Sequence, residues 1–82
     1  MKANIYVTLK QEVLDPQGDA VRRALASLGF ADVRSARVGK LIELELEGAG
    51  RDRAKVEKEL RDMCEKLLAN PVIEDFRVEV VE

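Results

Sequence analysis

Histidine and tryptophan are absent from this 82-residue chain, cysteine occurs once, and Tyr6, Phe30 and Phe76 are the whole aromatic content. Without histidine there is no Ser-His-Asp or Cys-His chemistry, and the commonest transition-metal ligand is missing. A lone Cys64 allows no internal disulfide and no structural zinc site, and it fits a reduced, cytoplasmic setting. Few aromatics and a formal net charge of −2 argue against nucleic acid as a partner. There is no apolar leader at the N-terminus and no run long enough to cross a bilayer, so a cytosolic chain without a membrane partner is expected. These absences argue against an independent enzyme. No catalytic, cofactor-binding or metal-binding residue is expected in this chain.

What is present is charge of both signs, 37% of all residues, laid over clear apolar periodicities. Residues 1–82 read as a single domain. A domain of this size has a small core and is marginally stable alone, so oligomerisation is the expected stabiliser. From Asn4 to Lys10, Ile5, Val7 and Leu9 alternate with polar residues, which predicts a strand. Asp15 then stands where it can cap a helix that has Pro16 at its first position. Val21, Ala24, Leu25 and Leu28 make one helical face; Gly29 supplies a left-handed end, and Phe30 stands where a Schellman motif places its apolar contact. After a Gly48-Ala49-Gly50 loop, a second helix begins near Asp52. Its apolar stripe is Val56, Leu60, Met63, Cys64, Leu67 and Leu68. Asn70-Pro71 ends it. A last strand runs from about Glu74 to Val81 with Phe76, Val78 and Val80 on the core face. The fold class is α+β, with two helices expected on one face of a small antiparallel sheet.

The stretch from Val33 to Glu47 decides the architecture. Five of its seven even positions from Arg34 are apolar, against two of eight odd ones. That is period two, one face toward a core and one toward water. A single strand of this length would span about 50 Å at about 3.3 Å per residue, whereas a compact chain of this size has a diameter of about 30 Å. A hairpin at Gly39-Lys40 would give a ferredoxin-like βαββαβ domain, but it mixes both faces, and Gly-Lys is not a favoured two-residue hairpin pair. A straight or gently bent strand keeps the faces clean. Its overhang must then pair with another chain, which predicts a dimer joined through the sheet.

Three segments outside the apolar pattern are candidate contact sites. Asp15, Pro16, Gln17 and Gly18 could receive an anion at a helix N-terminus, although plain capping explains them better. Arg37, Val38, Gly39 and Lys40 lie in the middle of the long stretch and could meet a partner; Lys40 is the more notable because it falls on the apolar parity. Asn70 and Pro71 form a helix-to-strand corner. Glu43, Glu45 and Glu47 make an acidic ladder best read as a solvated face, and Cys64 on the apolar stripe reads as a buried structural cysteine.

The motifs LDPQG at 14–18, RVGK at 37–40 and MCEKLLANPVIEDFRVEV at 63–80 resemble the PurS family, the small subunit of phosphoribosylformylglycinamidine synthase, in order and spacing over nearly the whole chain. The resemblance implies a role in de novo purine synthesis, in the ATP- and glutamine-dependent amidation of formylglycinamide ribonucleotide. It implies that a large synthetase subunit carries ATP and magnesium and that a glutaminase subunit releases ammonia with its own cysteine. The small subunit would bridge the two without covalent chemistry, as a homodimer or a tetramer. The competing expectation is a ferredoxin-like small-molecule-binding regulatory domain, which dimerises in a similar way.

Overall fold

A computed structural model describes residues 1–47, 50 and 52–81. Among these, three strands and two helices follow one another as β1 (Lys2–Leu9), α1 (Pro16–Ser27), β2 (Lys40–Glu45), α2 (Arg53–Met63) and β3 (Glu74–Val81). The strands form one antiparallel sheet in the order β2-β1-β3. The α+β class is as expected. Gly48 and Ala49 of the expected loop lie outside the described residues.

Register follows from apolar parity. Ala3, Ile5 and Val7 of β1 stand opposite Leu44, Ile42 and Lys40 of β2, and opposite Val80, Val78 and Phe76 of β3. A slip of one residue would turn this whole set toward water. α2 covers this face over β1 and β3: Val56, Leu60 and Cys64 are almost wholly buried against Ala3, Ile5, Val7 and Val80.

The expected stripe of α2 is corrected at its end. Met63 is 38% exposed and Leu67 83% exposed. Cys64–Leu68 forms a π turn closed by the Ala69 amide bonding to the Cys64 carbonyl at 2.9 Å. The wider turn adds a residue to the repeat, so Ala69 takes the buried position after Cys64 and Leu67 swings outward.

Both helices start as their sequences require. Asp15 Oδ1 accepts from the Gly18 amide at 2.8 Å, and Asp52 Oδ1 accepts from the Ala54 amide at 3.0 Å. α1 ends in a Schellman motif, with Gly29 at φ 100°, Gly29 N–H donating to Ala26 and Phe30 N–H to Leu25.

The placement of α1 differs from the expectation of two helices on one face. Only α2 packs extensively on the sheet. α1 stands off it, and its apolar residues are uncovered: Val21 is 42% exposed and Leu28 74%. The reason lies in the long stretch. There is no hairpin at Gly39-Lys40; residues 33–39 run without a turn or bend into β2, but have no neighbouring strand among the described residues. The ladder covers only the half of the stretch that β1 can reach. The rest projects and carries α1 with it. The molecule measures 50 × 26 × 14 Å with a Cα radius of gyration of 16.2 Å, where a compact chain of this length would have about 12 Å.

Candidate partner-contact site

The three candidate segments converge at one end of the sheet. Asp15 is the hinge of the arrangement. One carboxylate oxygen caps α1 and the other accepts the Val38 amide at 2.8 Å. The residue is buried. Donation from Gly18 and then Val38 holds its carboxyl below the usual aspartate range, against a smaller opposing effect of burial. Two glycines allow the backbones to meet. A Cβ on Gly18 would lie 2.1 Å from the Ala36 carbonyl oxygen, and one on Gly39 would lie 2.5 Å from the Val7 carbonyl oxygen. Gly39 is therefore required by close approach to β1 and not by a bulge.

Arg37 turns out to be spent within the chain. Its guanidinium donates to the carbonyls of Lys10, Gln11 and Val13 at 2.9–3.0 Å, and so closes the loop between β1 and α1. A planar fork can satisfy several carbonyls at once. Pro16, Gln17, Val38 and Lys40 remain exposed and line an open groove of about 410 Å³ with Asp15, Gly39 and Glu74.

Asn70 and Pro71 reach the same end by another route. The Lys10 amide donates to the Ile73 carbonyl, extending the β1–β3 contact. Asn70 Oδ1 accepts from the Val72 amide, and Glu74 Oε1 accepts from the Asn70 amide. Asn70 is thus a turn-former, while Pro71 and Glu74 line a neighbouring groove beside Lys10 and Phe76. Glu74 borders both grooves and links the corner to Lys40.

This end of the sheet offers the ammonium groups of Lys10 and Lys40, exposed amide and carbonyl groups, and carboxylates. It offers no nucleophile paired with a base. Cys64, the one thiol, is buried in the core, and burial raises its pKa. Among the described residues, no group of three or more potential ligands is arranged to hold a metal ion, and no helix is long and apolar enough to cross a membrane. Such a surface can bind and position, which is what protein partners require.

Sequence reasoning missed a cluster on the open sheet face. Glu79 Oε1 accepts from Asn4 Nδ2 at 3.0 Å and from the Tyr6 hydroxyl at 3.2 Å, and the Arg77 guanidinium lies 4.0 Å from the centre of the Tyr6 ring. Hydrogen bonds from Asn4 and then Tyr6 lower the Glu79 pKa. These residues pair only through the β1–β3 register, so no local signal could have found them.

Comparison with known proteins agrees with the fold. Residues 2–82 match the family model described as "PurS: Phosphoribosylformylglycinamidine (FGAM) synthase". The chain is 53% identical over 81 residues to the phosphoribosylformylglycinamidine synthase subunit PurS of Bacillus subtilis, covering 99% of this chain and 93% of that one. It is 43% identical to the PurS subunit of Methanocaldococcus jannaschii, covering 96% and 93%. Among solved structures it is similar to B. subtilis PurS (TM-score 0.80, 53% identity, covering 99% and 98%). It is also similar to a chain of PurLQS from Thermotoga maritima (TM-score 0.85, 34% identity, covering 98% and 95%). On fold, sequence and coverage, the chain belongs to the PurS family of phosphoribosylformylglycinamidine synthase subunits.

Proposed function

We propose that this chain is the non-catalytic bridging subunit of phosphoribosylformylglycinamidine synthase in purine biosynthesis, acting in the cytoplasm as a homodimer. It joins a glutaminase to an ATP-dependent synthetase and contributes no cofactor or metal ligand; ATP and magnesium belong to the large subunit. Ammonia passing between two active sites must not escape, and a scaffold that holds them in register makes its capture local. The likeness to a chain of the T. maritima PurLQS assembly supports this reading, and membership of the PurS family sets aside the small-molecule regulatory domain.

The observation that carries the dimer is the direction of the backbone along 33–45. Leu46 N–H donates to the carbonyl of Met1, just before β1, and Val38 N–H meets Asp15. Even-numbered residues therefore turn their polar backbone groups inward. Odd-numbered ones, on the outer edge of β2, have no strand beside them among the described residues, in the order β2-β1-β3. An open edge of this kind is a template for a second copy.

The test mixes the purified chain with the synthetase and glutaminase subunits, glutamine and magnesium-ADP, and follows co-elution and glutamine-dependent synthesis. Activity independent of this chain overturns the bridging role. A monomeric solution mass at micromolar concentration overturns the dimer. Lys40→Glu is the cleaner probe of the shared groove, since Arg37→Glu would also open the loop that Arg37 closes.

A further inference from the structure

β3 is the second edge of the sheet in the order β2-β1-β3. Its outward backbone groups follow from the register. Lys10 N–H donates to the Ile73 carbonyl, and from there the antiparallel ladder bonds the odd-numbered residues of β3 to β1. Even-numbered residues therefore turn N–H and C=O away from the sheet. The chain itself closes both ends of this row. Glu74 N–H donates to the Asn70 carbonyl at 2.7 Å, and the Arg53 guanidinium donates to the Val80 carbonyl at 3.4 Å. Phe76 and Val78 lie between these closures. Among the described residues, nothing bonds their outward N–H and C=O groups.

The side chains along this edge favour one kind of neighbour. Phe76 and Val78 pack on the core face and stay half-buried, so an added strand could set apolar residues beside them. At the start of β3, Lys10, Glu65, Pro71, Glu74, Asp75 and Phe76 line an open groove of about 500 Å³. Three carboxylates face one ammonium there. Among the described residues, no ion pair takes up Glu65 or Asp75.

An unpaired edge gives an extended segment its main-chain bonds, and the flanking side chains set which segment fits. Here the groove selects positive charge. A second β3 fits less well, because Glu74, Asp75 and Glu79 outnumber Arg77 along it, and like charges on neighbouring strands repel.

We infer that the outer edge of β3 takes an extended segment of one of the two catalytic subunits, bonded to Phe76 and Val78, apolar on alternate positions and with a lysine or arginine in the acidic groove. This rests on the bridging role proposed above: the β2 edge serves the homodimer, and the β3 edge is left for another chain.

The test titrates the full chain with each catalytic subunit separately and follows amide exchange in each complex. One subunit is expected to slow exchange at the Phe76 and Val78 amides at least about tenfold. Val78→Pro removes one outward N–H and leaves the β1 ladder intact. It is expected to weaken binding of that subunit at least about tenfold, with the dimeric mass unchanged. Should this variant fail to fold, Glu65→Lys combined with Asp75→Lys, at two exposed side chains, is expected to do the same. No protection of Phe76 and Val78 in either complex, or unchanged affinity in the double variant, overturns the edge site and leaves the bridging role standing. Protection in the free chain that grows with its concentration gives the edge to a second copy and overturns the cationic segment. A parent chain that binds neither subunit overturns both readings.

Discussion

Asp15 and Val38, 23 positions apart, are joined by a 2.8 Å hydrogen bond from the Val38 amide to Asp15 Oδ2. The same carboxylate caps α1, so one buried side chain sets both where the helix starts and where it stands relative to β2. Its consequences can be measured.

The two sides of this junction should respond differently to a single methyl group. Gly18→Ala drives its Cβ to 2.1 Å from the Ala36 carbonyl oxygen, so backbone must move. A cost of about 1–3 kcal/mol is expected, with faster hydrogen exchange at the Val38 amide. Gly29→Ala meets no neighbour and pays only for its φ of 100°, about 1–2 kcal/mol, with the Val38 amide unaffected. Denaturant unfolding and amide exchange of the two variants separate these outcomes; faster exchange at Val38 in both would contradict the junction.

Stability should fall in acid through Asp15. Its pKa is lower in the folded chain than in the unfolded one, so its contribution is complete above the ordinary aspartate pKa of about 3.9 and is lost as pH falls through the folded value. Asp19, held down first by Arg22, and Glu79, held down first by Asn4, add contributions of the same sign. Asp15→Asn removes the charge at Asp15. The melting-temperature gap between parent and variant should be widest near neutrality and shrink below about pH 4. A gap that does not change with pH would remove Asp15 from the account.

Arg37 predicts a local effect. Replacing it with Met removes three donors from the carbonyls of Lys10, Gln11 and Val13. The expected loss is about 1 kcal/mol, because freed carbonyls at an exposed site regain water. Hydrogen exchange should rise in residues 10–15 and stay constant in β3. A change spread evenly over the sheet would mean that Arg37 supports more than this loop.

Cys64 should be chemically silent while the chain is folded. It is fully buried and its pKa is raised, first by desolvation. Alkylation by iodoacetamide is expected to proceed at the rate set by unfolding and to accelerate sharply in denaturant. Reaction of the folded chain at the rate of a free thiol would place Cys64 at the surface.

Sequence alone reached the elements and their ends. Alternation in β1 and β3, Asp15 as a cap, the second helix starting near Asp52, Pro16 at the first helix start and the Gly29-Phe30 Schellman pair are local signals, written within a few residues of where they act. The stretch from Val33 to Glu47 was legible as extended and not a hairpin, because a turn at Gly39-Lys40 would mix apolar and polar residues on both faces. Three things were decided only by tertiary structure. β1 is long enough to pair with only one half of that stretch, so the other half projects with α1 attached. The π turn rotates Leu67 out of the stripe that its spacing suggested. And Arg37, in sequence a free charge beside Lys40, finds three carbonyls from a loop more than twenty residues away. Spacing along the chain fixes which face a side chain shares with its neighbours. What that face then meets depends on contacts between distant segments, and those exist only once the chain has folded.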